Sequence, residues 1–205
     1  MQYPWVGKHY SSKGNFFDGK KILIVGESHY GENPDNFGKS LPEITREFVA
    51  DHLAWETGKR IPFFTRLVAL LTGTWGSQDT KLADEIWHHL AFYNYVPVIA
   101  AVGPRMFDWS LWEKGEPEFN TVLEDLKPDA IIVLGYRLWQ NAYYRHCDGT
   151  VDRMDTETKF VKTVFQEKLI PTMKIVHPSS AKYYKPMELH HRFKEMLSSM
   201  NLPTV

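Results

Sequence analysis

Four short, mainly apolar runs divide the chain and predict the strands of a sheet. They occupy residues 21–25, 92–97, 130–134 and 172–176, and polar or turn-forming residues bound each of them. A continuous apolar run of this length is typical of a strand that is covered on both faces, as in a parallel sheet. The sequence therefore predicts buried strands that run in the same direction.

Segments with helical spacing of apolar residues lie between these runs. We predict helices over about 42–58, 64–73, 79–90, 118–126, 138–144 and 186–200. Strands that alternate with helices indicate the α/β class, and we predict a three-layer α/β/α sandwich with a central, mainly parallel four-stranded sheet. We interpret residues 1–205 as a single domain with an irregular N-terminal arm at 1–19, a loop at 99–116 and a polar excursion at 148–160.

Composition sets limits on location and partners. The chain is 43% hydrophobic and 24% charged, as in soluble globular proteins, and it shows neither a membrane-spanning run nor a secretory signal. The single cysteine, Cys147, excludes internal disulfides and multi-cysteine metal sites. We therefore predict a cytoplasmic monomer without a cofactor. Because the net charge is −1, any nucleic acid must bind to a local basic patch.

Polar residues follow three of the predicted strands. Glu27, Ser28, His29 and Tyr30 lie between two glycines after the first strand, Asn94 lies within the second, and His177–Ser180 follows the last. Right-handed crossovers bring the carboxyl ends of parallel strands to one edge, where α/β folds bind their ligands. We therefore predict one cleft that contains Glu27, Asn94 and His177, in preference to a set of solvated turns.

This set of motifs, in this order, resembles the uracil-DNA glycosylase superfamily. Members carry a first motif such as Gly-Gln-Asp-Pro-Tyr or Gly-Glu-Ala-Pro-Gly, and Gly26-Glu27-Ser28-His29-Tyr30 is similar to both. An asparagine in a later strand and a closing His-Pro-Ser also belong to the family, and they resemble Tyr93-Asn94-Tyr95 and His177-Pro178-Ser179. The block from Glu124 to Gly135 is similar to the family's helix, Leu-Lys-Pro turn and glycine-ended strand. The resemblance covers about residues 20–197.

The resemblance implies a monofunctional DNA glycosylase that hydrolyses the N-glycosidic bond of a flipped-out, non-canonical base and leaves an abasic site. Such a reaction needs a carboxylate to position water or stabilise the sugar cation, and a donor near the base oxygen. We assign the carboxylate to Glu27 and the donor to His177 as catalytic residues. Asn94 is expected to read the base edge, since its amide both donates and accepts.

The other residues that we assign belong to base recognition and DNA binding. Phe37, Phe63 and Phe64 are all candidates to stack on the base, and the base-recognition set comprises Asn94, Ser28, His29, Tyr30, Phe37 and Phe64. The DNA-binding set comprises Ser179, Ser180, Lys182, Tyr183, Tyr184 and Lys185, where Tyr183 or Tyr184 would insert into the base stack; Arg60 and Arg66 would add charge. Adjacent histidines on a helix diverge, so we interpret His88-His89 and His190-His191 as surface residues and predict no metal site.

Two departures from the family motifs leave the target base open. Ser28 stands where one branch has an aspartate, and His29 replaces the usual proline, which favours a roomier and more polar pocket. The base could be uracil or a modified pyrimidine, including a hypermodified phage cytosine. Two alternatives also stay open: a small-molecule hydrolase that uses Glu27 and His29, and a non-catalytic DNA-binding module of the same fold.

Overall fold

The structure is a computed structural model that describes residues 2–54, 61–74, 80–101, 103, 108–149, 151–154, 160–180 and 182–200. Its strands are β1 (Trp5–Val6), β2 (Ile22–Gly26), β3 (Leu90–Asn94), β4 (Ala130–Leu134), β5 (Val161–Phe165) and β6 (Lys168–Ile175). Its α-helices are α1 (Ile44–Leu53), α2 (Pro62–Thr72), α3 (Thr80–Glu85), α4 (Leu111–Leu126), α5 (Tyr136–Asn141) and α6 (Pro186–Ser199). No helix in these ranges has the length and apolar character needed to cross a membrane.

The strands form one mixed sheet in the order β1-β3-β2-β4-β6-β5. The four inner strands are mutually parallel and correspond to the four that the apolar runs predict. The two outer strands are antiparallel to their neighbours. The prediction of a four-stranded sheet is therefore wrong in number, because an antiparallel strand extends each edge of the parallel core.

Both additional strands have weak signals in the sequence. β1 has only two residues and lies within the segment that was predicted to be an irregular arm. β5 forms a hairpin with β6, and Gln166 in its two-residue turn adopts a φ of 53°. Such turns normally carry glycine or asparagine at positions of positive φ, so this hairpin lacks the usual sequence signature.

Hydrophobic clusters cover both faces of the sheet. Alternate residues of β2 divide between them: Ile22 and Ile24 belong to one cluster, and Leu23 and Val25 to the other. Helices α2 and α6 supply apolar side chains to the first cluster, while α4 and α5 supply the second. Because β2 and β4 are covered on both faces, their side chains are apolar without alternation, which is why the sequence predicts these two strands most clearly.

The boundaries of several helices differ from the prediction. Within the predicted helix at 79–90, Thr80–Glu85 form α3, Ile86–His89 form a 3₁₀ turn, and Leu90 already belongs to β3, while residue 79 lies outside the described residues. Helix α1 ends at Leu53, and residues 55–58, which were predicted to finish it, lie outside the described residues.

Helix α4 begins at Leu111, inside the predicted loop 99–116. The sequence does not predict a helix here because Gly115 and Pro117 both disfavour helix interiors. Gly115 has a packing reason: a Cβ at this position would collide with the ring and the backbone oxygen of buried Tyr95. The glycine therefore lets α4 approach the chain segment that follows β3.

We expect Gly115→Ala to destabilise the protein, although alanine normally favours a helix by up to about 1 kcal/mol. The collision with Tyr95 should reverse this preference and cost about 1–3 kcal/mol, as overpacking does. Urea unfolding followed by circular dichroism measures the change. Gly14→Ala is the matched control, because open space surrounds that position, and equal stability of the two variants would contradict the packing argument.

Candidate active site

A cavity of about 830 Å³ opens at the edge of the sheet where the four parallel strands end. Residues that follow β2, β3, β4 and β6 converge there. Its walls are formed by Gly26, Glu27, Ser28, His29, Tyr30, Phe48, Ile61, Phe63, Phe92, Asn94, Gly135, Tyr136, Arg137, Val176, His177, Ser179 and Ser180. The structure thus brings Glu27, Asn94 and His177 together.

Asn94 is the last residue of β3 and is 5% exposed. Its side chain lies over the end of β2, where Oδ1 occupies the space that a Cβ on residue 26 would need. Only glycine at position 26 leaves room for this amide. The first glycine of the motif therefore has a physical role: it allows the amide of Asn94 to reach the cavity.

Glu27 is held by an arginine that the sequence analysis did not identify. Arg137 Nε donates to Glu27 Oε2 at 2.8 Å, and Arg137 Nη2 donates to Glu27 Oε1. The Tyr30 hydroxyl also donates to Glu27 Oε1 and accepts a hydrogen bond from Arg137 Nη2 at 2.6 Å. The Glu27 and Arg137 side chains are only 11% and 29% exposed. The Glu27 carboxylate is therefore a partly buried anion whose orientation is fixed by Arg137 and Tyr30.

Arg137 lies in the first turn of α5, directly after β4 and Gly135. A cation at a helix N-terminus is opposed by the helix dipole, so its placement there needs a compensating anion, which Glu27 supplies. A basic residue just past the glycine that ends a buried strand was the available signal. The role could not be predicted from the signal alone, because Arg137 reaches Glu27 only through the pairing of β4 with β2.

His177 combines a fixed ring orientation with a lowered pKa. The Ser179 backbone N–H donates to its Nδ1 at 3.2 Å, so the proton of the neutral ring resides on Nε2. Burial, followed by the positive charge of Arg137, lowers the pKa of His177 from 6.5 to about 4. At neutral pH the residue is thus an uncharged donor that belongs to the cavity wall.

His29 and Glu27 have different hydrogen-bond partners. Its Nε2 forms a hydrogen bond of 2.8 Å with buried Thr45 of α1, and its ring contacts Phe48 edge-on. Burial lowers the pKa of His29 to about 4. The structure therefore places His29 in the cavity wall as a neutral residue that is tied to α1, beside Ser28, which also lines the cavity.

The aromatic side of the cavity is formed by Phe48, Phe63 and Phe92. The Phe63 ring lies 5.8 Å from the His177 ring, centroid to centroid, with a tilt of 34°. The two phenylalanines assigned to base recognition are not brought there. Phe64 is fully buried and stacks on His52 at 3.6 Å, and Phe37 caps a 3₁₀ turn away from the cavity wall.

The segment after His177 divides into an exposed and a buried part. Ser179 and Ser180 are exposed and line the cavity, and Lys182 lies 5.1 Å above the ring of Tyr183, which is 66% exposed. Tyr184 is instead buried, and its hydroxyl donates to the Arg66 carbonyl at 3.0 Å. The structure therefore leaves Tyr183, and not Tyr184, accessible to a partner.

Of three further basic residues of the prediction, two have structural partners and one lies outside the described residues. Lys185 pairs with Glu188 at 2.9 Å. Arg66 donates to the Pro178 carbonyl and so ties α2 to the loop of His177. Arg60 lies outside the described residues.

A second cavity, of about 840 Å³, lies between α4 and the β5–β6 hairpin, away from the strand ends. Burial raises the pKa of its Cys147 thiol to about 12, which disfavours a thiolate nucleophile. His146 in its wall forms a hydrogen bond of 3.0 Å with the Tyr95 hydroxyl.

The described residues contain no group of three or more His, Cys, Asp or Glu that could hold a metal ion. His190, predicted at the surface, is partly buried and bonds the Leu70 carbonyl at 2.8 Å.

Comparison of the chain with protein-family models finds no match. Comparison with curated proteins finds none either. The function is therefore argued from the chemistry of the cavity and from the motifs that line it.

Proposed function

We propose that this protein is a DNA glycosylase that hydrolyses the N-glycosidic bond of a flipped-out, non-canonical base. The observation that carries the proposal is the convergence of Glu27, Asn94 and His177 on one cavity at the carboxyl edge of the parallel strands. Each of the three comes from a different glycosylase-like motif. The proposal includes the three-layer α/β/α sandwich of the uracil-DNA glycosylase superfamily, which the helices on both faces of the sheet support.

The charges of the cavity suit the bond cleavage. As the bond breaks, positive charge develops on the sugar and negative charge on the departing base. Glu27 supplies a fixed anion for the sugar, and the neutral His177 supplies an N–H donor for the base without needing protonation. The Asn94 amide provides a donor and an acceptor for a base edge, and Phe63 offers an aromatic face beside His177.

The proposed target is uracil or a modified pyrimidine, and the volume of about 830 Å³ has room for either. The test is a set of matched duplexes that each carry one uracil, one 5-substituted cytosine or one glycosylated cytosine, assayed for abasic sites. Release of at least one base supports the proposal, and release of uracil alone would refute the enlarged pocket. Binding without abasic sites on any duplex would instead favour the non-catalytic module.

The small-molecule hydrolase with a Glu27–His29 pair gains no support from the geometry. The His29 ring is bound to Thr45, whereas the Glu27 carboxylate is bound to Arg137 and Tyr30. A general acid or base must have its titrating group within hydrogen-bond reach of the proton that it transfers. The two side chains instead have separate structural partners.

We expect Lys182→Ala to weaken DNA binding whatever the base, because Lys182 is exposed beside Tyr183 at the cavity's edge. Loss of one phosphate contact should reduce the slope of log K against log salt by about 0.9. Lys185→Ala should have a smaller effect, since Glu188 already neutralises that lysine. Fluorescence anisotropy over a salt series measures the DNA affinity of both variants. Unchanged affinity in Lys182→Ala would mean that the DNA phosphates bind elsewhere on the surface.

A further inference from the structure

The contacts of Arg137 join the two residues to which the proposed reaction assigns its chemistry. Its guanidinium makes two hydrogen bonds to the Glu27 carboxylate, one to each oxygen. The positive charge of the same guanidinium, at the start of α5, also contributes to the lowered pKa of His177. All three side chains line the same cavity.

The charged and titratable groups around His177 come from several elements. Arg137 comes from α5, Glu27 and Tyr30 follow β2, and Arg66 of α2 contacts the neighbouring Pro178 carbonyl. Of these groups, Arg137 is the one whose charge contributes to the lowered pKa of His177. Its contribution adds to that of burial, and both favour the neutral ring.

We propose that Arg137 is a positioning residue of this site, which fixes the orientation of the Glu27 carboxylate and sets the electrostatic environment of His177. The catalytic consequence rests on the proposed glycosylase function, whereas the structural and electrostatic consequence does not. An arginine is required because its planar guanidinium matches a carboxylate with two parallel hydrogen bonds, which a lysine cannot do.

The hydrogen bonds from Arg137 and Tyr30 also determine how the Glu27 carboxylate is oriented. Arg137 donates to both carboxylate oxygens of Glu27, and Tyr30 donates to Oε1 as well. The carboxylate is therefore held in one orientation as a negative charge in the cavity wall.

Arg137→Lys and Arg137→Gln separate orientation from charge. In Arg137→Lys the charge persists but the paired hydrogen bonds are lost, so we expect turnover to fall about 100-fold, the typical cost of misplacing a catalytic group. KM should change little, and the pKa of His177 should stay low. In Arg137→Gln turnover should fall at least as far, and the pKa of His177 should also rise towards its ordinary value.

The measurements are single-turnover kinetics, KM, and the ring ¹⁵N titration of His177 by NMR. Arg145→Gln is the matched control, because Arg145 lies in the next short helix over the Tyr144 ring and outside this cavity. It should leave turnover and the His177 titration unchanged. Circular dichroism verifies folding of each variant, and if Arg137→Gln does not fold, Arg137→Lys alone decides the orientation role.

Failure of this inference is distinguishable from failure of the proposed function. An unchanged His177 titration in folded Arg137→Gln, or wild-type turnover in Arg137→Lys, would overturn the role of Arg137 even if the protein excises bases. If no base is excised, the NMR titration still tests the effect of Arg137 on His177. A rise in the His177 pKa for Arg137→Gln, with none for Arg145→Gln, supports the inference in either case.

Discussion

Replacement of Glu27 by Gln should lower turnover by about 100-fold to 10,000-fold, the usual contribution of a positioned acid–base or electrostatic group. Glutamine preserves the shape of the side chain but removes the negative charge that would stabilise the sugar cation. DNA affinity should remain close to that of the wild-type protein, because Glu27 is largely buried and faces the reacting centre. Abasic-site formation under single-turnover conditions, together with anisotropy titrations, measures the two quantities separately.

Glu32→Gln is the control for this substitution, since Glu32 is an exposed carboxylate in the loop that follows the same motif. It removes the same charge without touching the cavity wall, and its turnover should equal that of the wild-type protein. Near-normal turnover in Glu27→Gln would transfer the catalytic role to another residue, with Ser28 and His29 the next candidates.

His177→Ala should cause a loss of similar size, because it removes the N–H donor that would face the departing base in the proposed reaction. The wild-type pH profile gives a second test. Since the pKa of His177 is lowered to about 4, the ring is neutral above that pH. As the pH falls through about 4, a second proton binds to Nδ1 and removes the hydrogen bond from the Ser179 N–H that orients the ring, while the Nε2 proton remains. Turnover that depends on this orientation should be flat from about pH 5 upwards on the acidic side and should decline towards pH 4.

His191→Ala is the matched control, because His191 is exposed on α6 and does not line the cavity. Both the turnover and the pH profile of this variant should match those of the wild-type protein. A decline of wild-type turnover with a midpoint near 6.5, the ordinary pKa of histidine, would contradict the assignment to a partly buried, neutral His177.

The core of the fold could be predicted because burial on two faces leaves a clear trace in the sequence. Strands β2 and β4 are uninterrupted apolar runs, and the polar residues that follow them mark their carboxyl ends. Parallel pairing then requires these ends to meet, which is why Glu27, Asn94 and His177 could be expected in one cleft. This inference needs only strand direction and order, and no side-chain detail.

The parts that could not be predicted depend on packing across the sheet. Phe63 and Phe64 are neighbours on α2, and the sequence does not specify which ring turns towards the cavity. Arg137 acquires its role only because β4 lies beside β2 in the sheet, which brings α5 to Glu27. The β5 hairpin was not predicted, because Gln166 in its turn adopts a positive φ and glutamine gives no sequence signal for that conformation.

Each inner strand end contributes to the cavity from a distant part of the chain. Glu27, Asn94, Arg137 and His177 follow or end four different strands, with helices between them. No pair of neighbouring segments could assemble these groups alone, so a partly folded or nascent chain would carry the individual motifs without their geometry. Any activity of this cavity should therefore arise only when the sheet is complete, and it should vanish in the same cooperative transition as the fold. During synthesis the protein would stay inert towards its substrate until β6 has left the ribosome and docked beside β4.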